Sequence, residues 1–380
     1  MLSLVGGAAI FSSTIAKNPI LPLLAASLGA GPGEIGLIAA ASTVTGIATS
    51  LAAGRLSDRF GRRPLLLLAG VFFVTAPLLY LAVDSPFELA LVRVYHGLAT
   101  AIFGPVATAL VTDLAPVRRG ERLGYFSSAQ LAGRALAPAV GGTLLVAGPW
   151  EWVFIASALS GLAALAGTWS LPGPSPGKEK TDGQEGVDPV RIASPAILAT
   201  SVAEAGQFFA FGVIETFLPL YALALGHSPV LIGILFAAQV VARTVSRPVF
   251  GRLSDDRGRR SPILAGLILS ALATVLLPFT TVWAGLLLLS VLFGLGLSVS
   301  QAATQALVAE LAPPGGRGAA LGLMSTVMDI GQAAGPVAAG LLVALGSYST
   351  GFFGAAAVLL AAALVFFTGV GDDRGIDDHI

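Results

Sequence analysis

The amino-acid sequence predicts an all-α integral membrane protein, twelve transmembrane helices arranged as two six-helix bundles. Three observations predict it: apolar runs long enough to cross a bilayer recur from end to end, the second half repeats the first in the same orientation, and basic residues collect in alternate loops. Hydrophobic residues make up 55% of the chain and charged ones 11%, with a mean hydropathy of +0.85, so lipid rather than water is its main solvent.

A helix needs about 20 apolar residues to cross roughly 30 Å of hydrocarbon. Twelve such spans fit at 3–27, 33–53, 64–83, 86–113, 122–146, 152–171, 194–224, 229–249, 262–282, 284–310, 318–344 and 349–370. Barrel strands would be about 9–11 residues long and strictly alternating, which these are not. The first span has no basic leader and stays apolar from Leu2 to Leu28, too long for the core of a secretory signal, and is read as a helix. Cysteine is absent, which excludes disulfides and thiolate metal sites, and a formal net charge of zero gives no electrostatic footprint for nucleic acid.

The lysines and arginines orient the spans. Arg55, Arg59, Arg62 and Arg63 follow span 2, Arg118, Arg119 and Arg122 follow span 4, and Lys178, Lys180 and Arg191 follow span 6. The second half does the same, with Arg252, Arg257, Arg259 and Arg260 after span 8, Arg317 after span 10 and Arg374 in the tail. The other loops hold only Glu34, Asp84, Glu88, Glu151 and His227 among titratable residues, so both termini are expected in the cytoplasm.

Sliding the sequence against itself gives an offset of 197, which sets Pro22 on Pro219, Gly29 on Gly226, Gly54 on Gly251, Asp58 on Asp255, Gly61 on Gly258 and Asp113 on Glu310. Past one inserted residue near Pro116 the offset is 198, matching Gly124 to Gly322 and Pro138 to Pro336. The halves are parallel repeats. They divide the chain into an N-terminal bundle at 1–171, a cytoplasmic linker at 172–193 rich in Pro, Gly and mixed charge, a C-terminal bundle at 194–371 and a tail at 372–380.

Gly54-Arg-Leu-Ser-Asp-Arg-Phe-Gly-Arg-Arg63 resembles the loop signature of the major facilitator superfamily, and Gly251-Arg-Leu-Ser-Asp-Asp-Arg-Gly-Arg-Arg260 is its degenerate copy where the repeat requires one. The glycines permit a tight turn and Asp58 is placed to cap a helix N-terminus. The resemblance, which covers essentially the whole chain, implies a major facilitator fold and a cytoplasmic gate of Gly54, Asp58, Arg59, Gly61, Arg62 and Asp113, with Gly251, Asp255 and Glu310 as counterparts. A basic turn that only fixes topology is the alternative for the individual arginines. In span 5, Gly133-Arg-Ala-Leu-Ala-Pro-Ala-Val-Gly-Gly142 is similar to that superfamily's antiporter signature, with Gly133, Pro138, Gly141 and Gly142 in place and Ala137 where a glycine is usual. Helix packing with no bearing on direction is its alternative. Pro19-Ile-Leu-Pro22 and Glu215-Thr-Phe-Leu-Pro219 look like positions typical of drug:proton antiporters.

Ionisable residues at membrane depth are costly and usually face a cavity or a partner. Spans 3, 6, 9 and 12 carry none and are expected to be the lipid-facing scaffold. Lys17, Arg93, His96, Arg134, Glu204, Glu215, Arg243, Arg247 and Asp329 lie on the others, and the family resemblance places spans 1, 4, 7 and 10 around a central cavity. On span 7, Glu204, Gln207, Phe208, Phe211 and Glu215 share one helical face. Desolvation favours a neutral carboxyl and a nearby cation an ionised one, so such a group can alternate protonation as a cavity opens. Glu215 is the first candidate for proton coupling, Asp329 the second and Glu204 the third, each with a permanent ion pair to Lys17, Arg93, Arg134 or Arg243 as the competing reading. The chain departs from many drug:proton antiporters in having Lys17-Asn18 in place of a span 1 carboxylate and Arg93-Val-Tyr-His96 where Arg is often followed by Gln. His96 belongs to the residue type that titrates near neutral pH, or it is a hydrogen-bonding neighbour of Arg93. The remaining candidate cavity residues are Gln239, Gln301 and Gln305, with Ser298, Ser300 and Thr304 beside them, polar groups that either orient a substrate or hold helices together.

The function expected is secondary active transport, a proton-coupled antiporter exporting small lipophilic or amphipathic compounds by alternating access. Transport of a sugar, metabolite or lysolipid by antiport or facilitated diffusion is the alternative, and a non-transporting receptor stands behind both. An enzyme is not expected, because His96, His227 and His379 are dispersed and no nucleophile motif stands out; no P-loop supports an ATP-driven pump. The partners expected are a small-molecule substrate, protons and the lipid bilayer, with no cofactor, metal or nucleic acid, for a monomer spanning the cell (inner) membrane.

Overall fold

The computed structural model describes residues 1–114, 118–171 and 192–370. The expected linker up to residue 191, the tail at 372–380, and with them Lys178, Lys180, Arg191, Arg374 and His379, lie outside the described residues. Within them the chain is helical and contains no strand: α1 (Leu2–Ile15), α2 (Ile20–Ser27), α3 (Pro32–Phe60), α4 (Arg62–Leu79), α5 (Pro86–Leu114), α6 (Arg119–Ala147), α7 (Trp150–Trp169), α8 (Pro195–Ala224), α9 (Pro229–Arg257), α10 (Arg260–Leu276), α11 (Trp283–Leu311), α12 (Arg317–Leu345) and α13 (Tyr348–Gly369).

The first expected span is not one helix. It breaks at residues 16–19 into α1 and α2, because Pro19 supplies no N–H for a continuing ladder. Counting that pair as one, ten helices among the described residues are long and apolar enough to cross a membrane, and α3, bent by 47°, makes eleven. The 29-residue α6 is the remaining long helix, made more polar by Glu121, Arg122 and Arg134.

Local chemistry sets the ends. Proline opens α3, α5, α8 and α9, where its missing N–H is no loss. Glu34 in the first turn of α3 accepts the Gly31 N–H at 2.9 Å, and Ser85 accepts the Glu88 N–H at 3.3 Å before α5. Gly61 and Gly258 close the turns after α3 and α9 with φ of 90° and 81°, a conformation that favours glycine and appears at the same place in both repeats.

Contacts group the chain into two compact units, Met1–Thr181 with Pro219–Ala237, and Asp182–Leu218 with Ala238–Ile380. In the first, Phe73 and Phe103 meet edge-on at 5.6 Å within a core that includes Leu66, Val106 and Phe126. In the second, Ile197, Val308, Ala320 and Met324 form a smaller cluster. The helices of spans 3, 6, 9 and 12 present outward Leu68, Val71, Leu159, Leu162, Ile268, Leu272, Leu360 and Leu364, apolar faces suited to lipid.

Candidate functional site

The basic end of each unit carries the same ion cluster. In the first, Arg62 at the start of α4 reaches back to Asp58 and Ser57 in the last turn of α3 and across to Asp113 at the end of α5, its Nε donating to Oδ2 at 3.2 Å. In the second, Arg259 takes the corresponding partners Asp255, Ser254 and Glu310, donating to Glu310 Oε1 from NH2 at 2.6 Å and from Nε at 3.1 Å. One expectation is corrected here. Asp58 lies inside α3 and caps no N-terminus; the residue before α4 is Gly61, which has no side chain to cap with. Of the two gate arginines, Arg62 bridges the two carboxylates, while Arg59 is exposed with its guanidinium 5.4 Å from the Phe60 ring. Gly54 and Gly251 face open space. Ser57 and Ser254 were not singled out, although the offset of 197 pairs them. The neighbouring Arg63 and Arg260 donate to the carbonyls of Trp169 and Phe367, closing the ends of α7 and α13.

The α6 motif is a series of close crossings. A Cβ at Gly133 would strike the Gly7 carbonyl of α1, one at Gly141 would press on Ile15 and Ile20, and one at Gly142 would strike the Pro229 carbonyl opening α9. Gly233 in turn packs on the Pro138 carbonyl, so the small residues of the motif let neighbouring helices approach closely.

A buried polar cluster sits inside the first unit. Arg93 and His96 of α5 are each 2% exposed. Arg93 donates to Ser42 of α3 and, at 3.4 Å, to the Tyr80 hydroxyl, which also lies 3.2 Å from His96 Nδ1. Tyr80 stacks on Phe154 of α7 at 4.8 Å. His96 is therefore a hydrogen-bonding neighbour held by the same hydroxyl as the arginine. Replacing Tyr80 by Phe keeps the stack and strips both groups of that partner, at an expected cost of about 1–3 kcal/mol. A lowered thermal midpoint of the purified variant would show it; an unchanged midpoint would mean the hydroxyl contributes nothing. Of the other expected cavity residues in this unit, Asn18 is buried, Lys17 is half-buried and Arg134 is exposed.

The second unit holds a larger cluster. Glu204 and Gln207 of α8 are fully buried; Thr304 of α11 donates to Glu204 Oε2 at 2.7 Å, and Gln207 donates to Ser270 of α10 at 2.6 Å. Arg243 and Arg247, one turn apart on α9, donate to Gln301 Oε1 at 2.6 Å and Gln305 Oε1 at 2.7 Å, one turn apart on α11. The Arg243 guanidinium lies 5.6 Å and 5.9 Å from the Phe208 and Phe211 rings, which pack edge-on at 5.7 Å. Gln239 is buried near Gly294. Glu215, near the far end of the same face of α8, is 9% exposed, and Asp329 is half-buried on α12. Thus Glu204, Gln207, Phe211, Arg243, Gln301 and Gln305 come together, while Asp329 joins none of them by a hydrogen bond or ion pair among the described residues.

Apolar helices that bury arginine, histidine, glutamine and glutamate inside two repeated units define a polytopic membrane protein, and the family whose model it matches is one of transporters rather than enzymes. The chain belongs to the Major Facilitator Superfamily, whose model matches residues 2–227 and 200–376. It is 26% identical over 329 residues to multidrug resistance protein 1 of Bacillus subtilis, covering 85% of this chain and 84% of that protein. It is 24% identical over 335 residues to the quinolone resistance protein NorA of Staphylococcus aureus, again 85% and 84%. Among solved structures, a bacterial homologue of the human lysosomal transporter Spinster, inward-facing and unoccupied, superimposes with a TM-score of 0.83 at 16% identity, covering 97% of this chain and 95% of that one, a likeness of fold.

Proposed function

We propose that this transporter is a proton-coupled antiporter that exports small lipophilic or amphipathic compounds by alternating access. The observation that carries the reading is a pair of buried carboxyls, Glu204 and Glu215, on one face of α8, separated by about 16 Å along the helix. A carboxyl at membrane depth is expensive unless it has a task, and proton exchange is a task that such groups serve in transporters. The names of the bacterial relatives, which speak of drug and quinolone resistance, support the substrate class. So do Phe208 and Phe211, which offer aromatic surface beside Arg243.

Glu215 is the coupling residue of this reading, with Asp329 and Glu204 behind it; Lys17, Asn18, Arg93, His96, Arg134, Gln207, Phe211, Gln239, Arg243, Gln301 and Gln305 serve the cavity. The clusters around Arg62 and Arg259 serve as the cytoplasmic gate. The chain works as a monomer in the inner membrane with both termini in the cytoplasm, its bundles at 1–171 and 194–371.

Proteoliposomes containing the protein, given ethidium as probe and an imposed pH gradient, should accumulate it, and Glu215→Gln should abolish the pH dependence. Accumulation by Glu215→Gln with the parent's pH dependence would reject Glu215 as the coupling group.

One observation favours the second reading, transport of a metabolite or lysolipid: the interiors of the first unit's spans carry Lys17, Arg93 and Arg134 but no acid. A lysophospholipid offered in place of ethidium to the same vesicles tests it, and uptake of the lipid without ethidium uptake would replace the first reading by the second.

A further inference from the structure

We infer that the second unit binds the acidic head of a small amphipathic anion, with Arg247 as the anchor, Gln305 positioning it, and Phe208 and Phe211 as the surface for the apolar body. This deepens the proposed function by naming a substrate class, and rests on that reading for its role in transport.

Helical geometry gives Arg247 its direction. Val241, Val245 and Val249 form an exposed apolar stripe along one side of α9, the side suited to lipid. At about 100° per residue, Arg243 and Arg247 lie roughly opposite that stripe. Their partners agree with an inward direction, since Arg247 donates to Gln305 of α11 and Glu204 of α8 is within its electrostatic reach. Arg247 is nevertheless exposed, so its guanidinium stands at an opening among these helices rather than packed between them.

A guanidinium at membrane depth is costly. The Gln305 carbonyl oxygen accepts from Arg247 NH2 at 2.7 Å, which holds the fork in place and cancels no charge, and the other N–H groups of the guanidinium stay available. Glu204 acts on both Arg243 and Arg247, one carboxyl against two guanidiniums, so these three groups keep a net positive charge in either protonation state of Glu204. An arginine fixed by a neutral amide is set to receive a carboxylate from outside.

The fold itself does not require these residues. The offset of 197 sets Arg243, Arg247, Gln301 and Gln305 on Gly46, Ser50, Gly104 and Thr108. There α3 and α5 pack together with Gly46 and Gly104 facing open space and Thr108 turned back on the Gly104 carbonyl of its own helix. The first unit thus closes the same helix pair without arginine or glutamine at this level, and packing does not account for the charge. Beside Arg247, Arg243 has further ties and serves as wall rather than anchor. Its guanidinium lies 5.6 Å and 5.9 Å from the rings of Phe208 and the half-buried Phe211. An aromatic surface one helical turn, about 6 Å, from an exposed guanidinium suits a ring that carries a carboxylate.

Isothermal titration of the purified full-length protein with naphthaleneacetate and with its neutral counterpart naphthaleneacetamide tests the site without transport. The parent should bind the acid about tenfold more tightly than the amide, or better. Arg247→Gln should bring the acid down to the amide's affinity and leave the amide's unchanged, while Arg247→Lys should keep part of the preference. Arg317→Gln, the same loss of charge at an exposed helix end, should keep all of it. Acetate, which brings no ring to Phe211, should bind about tenfold more weakly than naphthaleneacetate or worse; equal binding would overturn the role of the aromatic pair. No preference for the acid in the parent, or the parent's full preference in Arg247→Gln, overturns the proposal. Where Arg247→Gln does not fold, a preference in Arg247→Lys equal to the parent's overturns the guanidinium anchor. Failure of the antiport reading is distinguishable, because ethidium would then not accumulate while the preference for the acid stood, and failure here would leave ethidium accumulation intact.

Discussion

Gly331→Val is expected to destabilise the second unit by about 1–3 kcal/mol or more, and Gly335→Val by a similar amount. Both glycines lie on one face of α12, and a Cβ at either would enter a carbonyl of α8, that of Ala205 at Gly331 and that of Phe209 at Gly335. The seam is reciprocal, since a Cβ at Gly212 of α8 would lie 2.7 Å from the Gln332 carbonyl and 2.9 Å from Pro336 Cδ. A carbonyl in a helix ladder cannot rotate aside as a side chain can, so two backbones must separate. In a membrane, where lipid tails are as apolar as leucine, close backbone approach is a main source of helix association. The control stands on the same helix: Gly318 and Gly322 face open space, and Gly322→Ala should be neutral or stabilising by up to about 1 kcal/mol through helix propensity. Thermal unfolding of purified variants decides it. Equal midpoints for Gly331→Val and Gly322→Ala would show that the seam does not hold the unit together.

The sequence made the repeat legible because glycine, proline and charge tolerate few exchanges in a tight turn. Gly61 and Gly258 share a positive φ, and Arg62 and Arg259 share three corresponding partners, all related by the offset of 197. The break in the first span was hidden because apolarity runs straight through Pro19 and Pro22, and hydropathy does not register a lost N–H. Helical periodicity placed Glu204 and Glu215 on one face but could not tell their surroundings apart. What distinguishes Glu204 comes from Thr304 and Gln301 on α11 and from Arg243 on α9, distant in sequence and joined only by the fold. Tyr80 and Ser42 escaped attention for the same reason. A tyrosine at the end of an apolar span reads as an interfacial anchor until the structure sets its hydroxyl between Arg93 and His96.

The two arginine clusters should fail in graded steps, and the grading separates charge from geometry. Arg259 bonds Ser254, Asp255 and Glu310 at once, reaching Glu310 through two nitrogens. Only a planar guanidinium spreads donors over that many acceptors; a lysine keeps the charge as a point and satisfies one or two. The acidic partners are about half exposed, Asp113 at 47% and Glu310 at 51%, so the clusters add little to global stability and thermal midpoints should scarcely change. Under the gate role proposed above, transport should respond far more, because each cluster ties the ends of three helices together. Arg259→Gln is expected to slow ethidium transport roughly tenfold and Arg259→Lys by a smaller factor, in the order set by the number of charge-assisted bonds kept. Arg62→Gln and Arg62→Lys should follow the same order. The two clusters share no side chain, so the free-energy costs of Arg62→Gln and Arg259→Gln should add in the double variant. Initial transport rates in proteoliposomes measure all five. Lysine variants as slow as the glutamine ones would mean that the fork, not the charge, is what the gate needs. Rates equal to the parent's in every variant would reduce both clusters to topology signals.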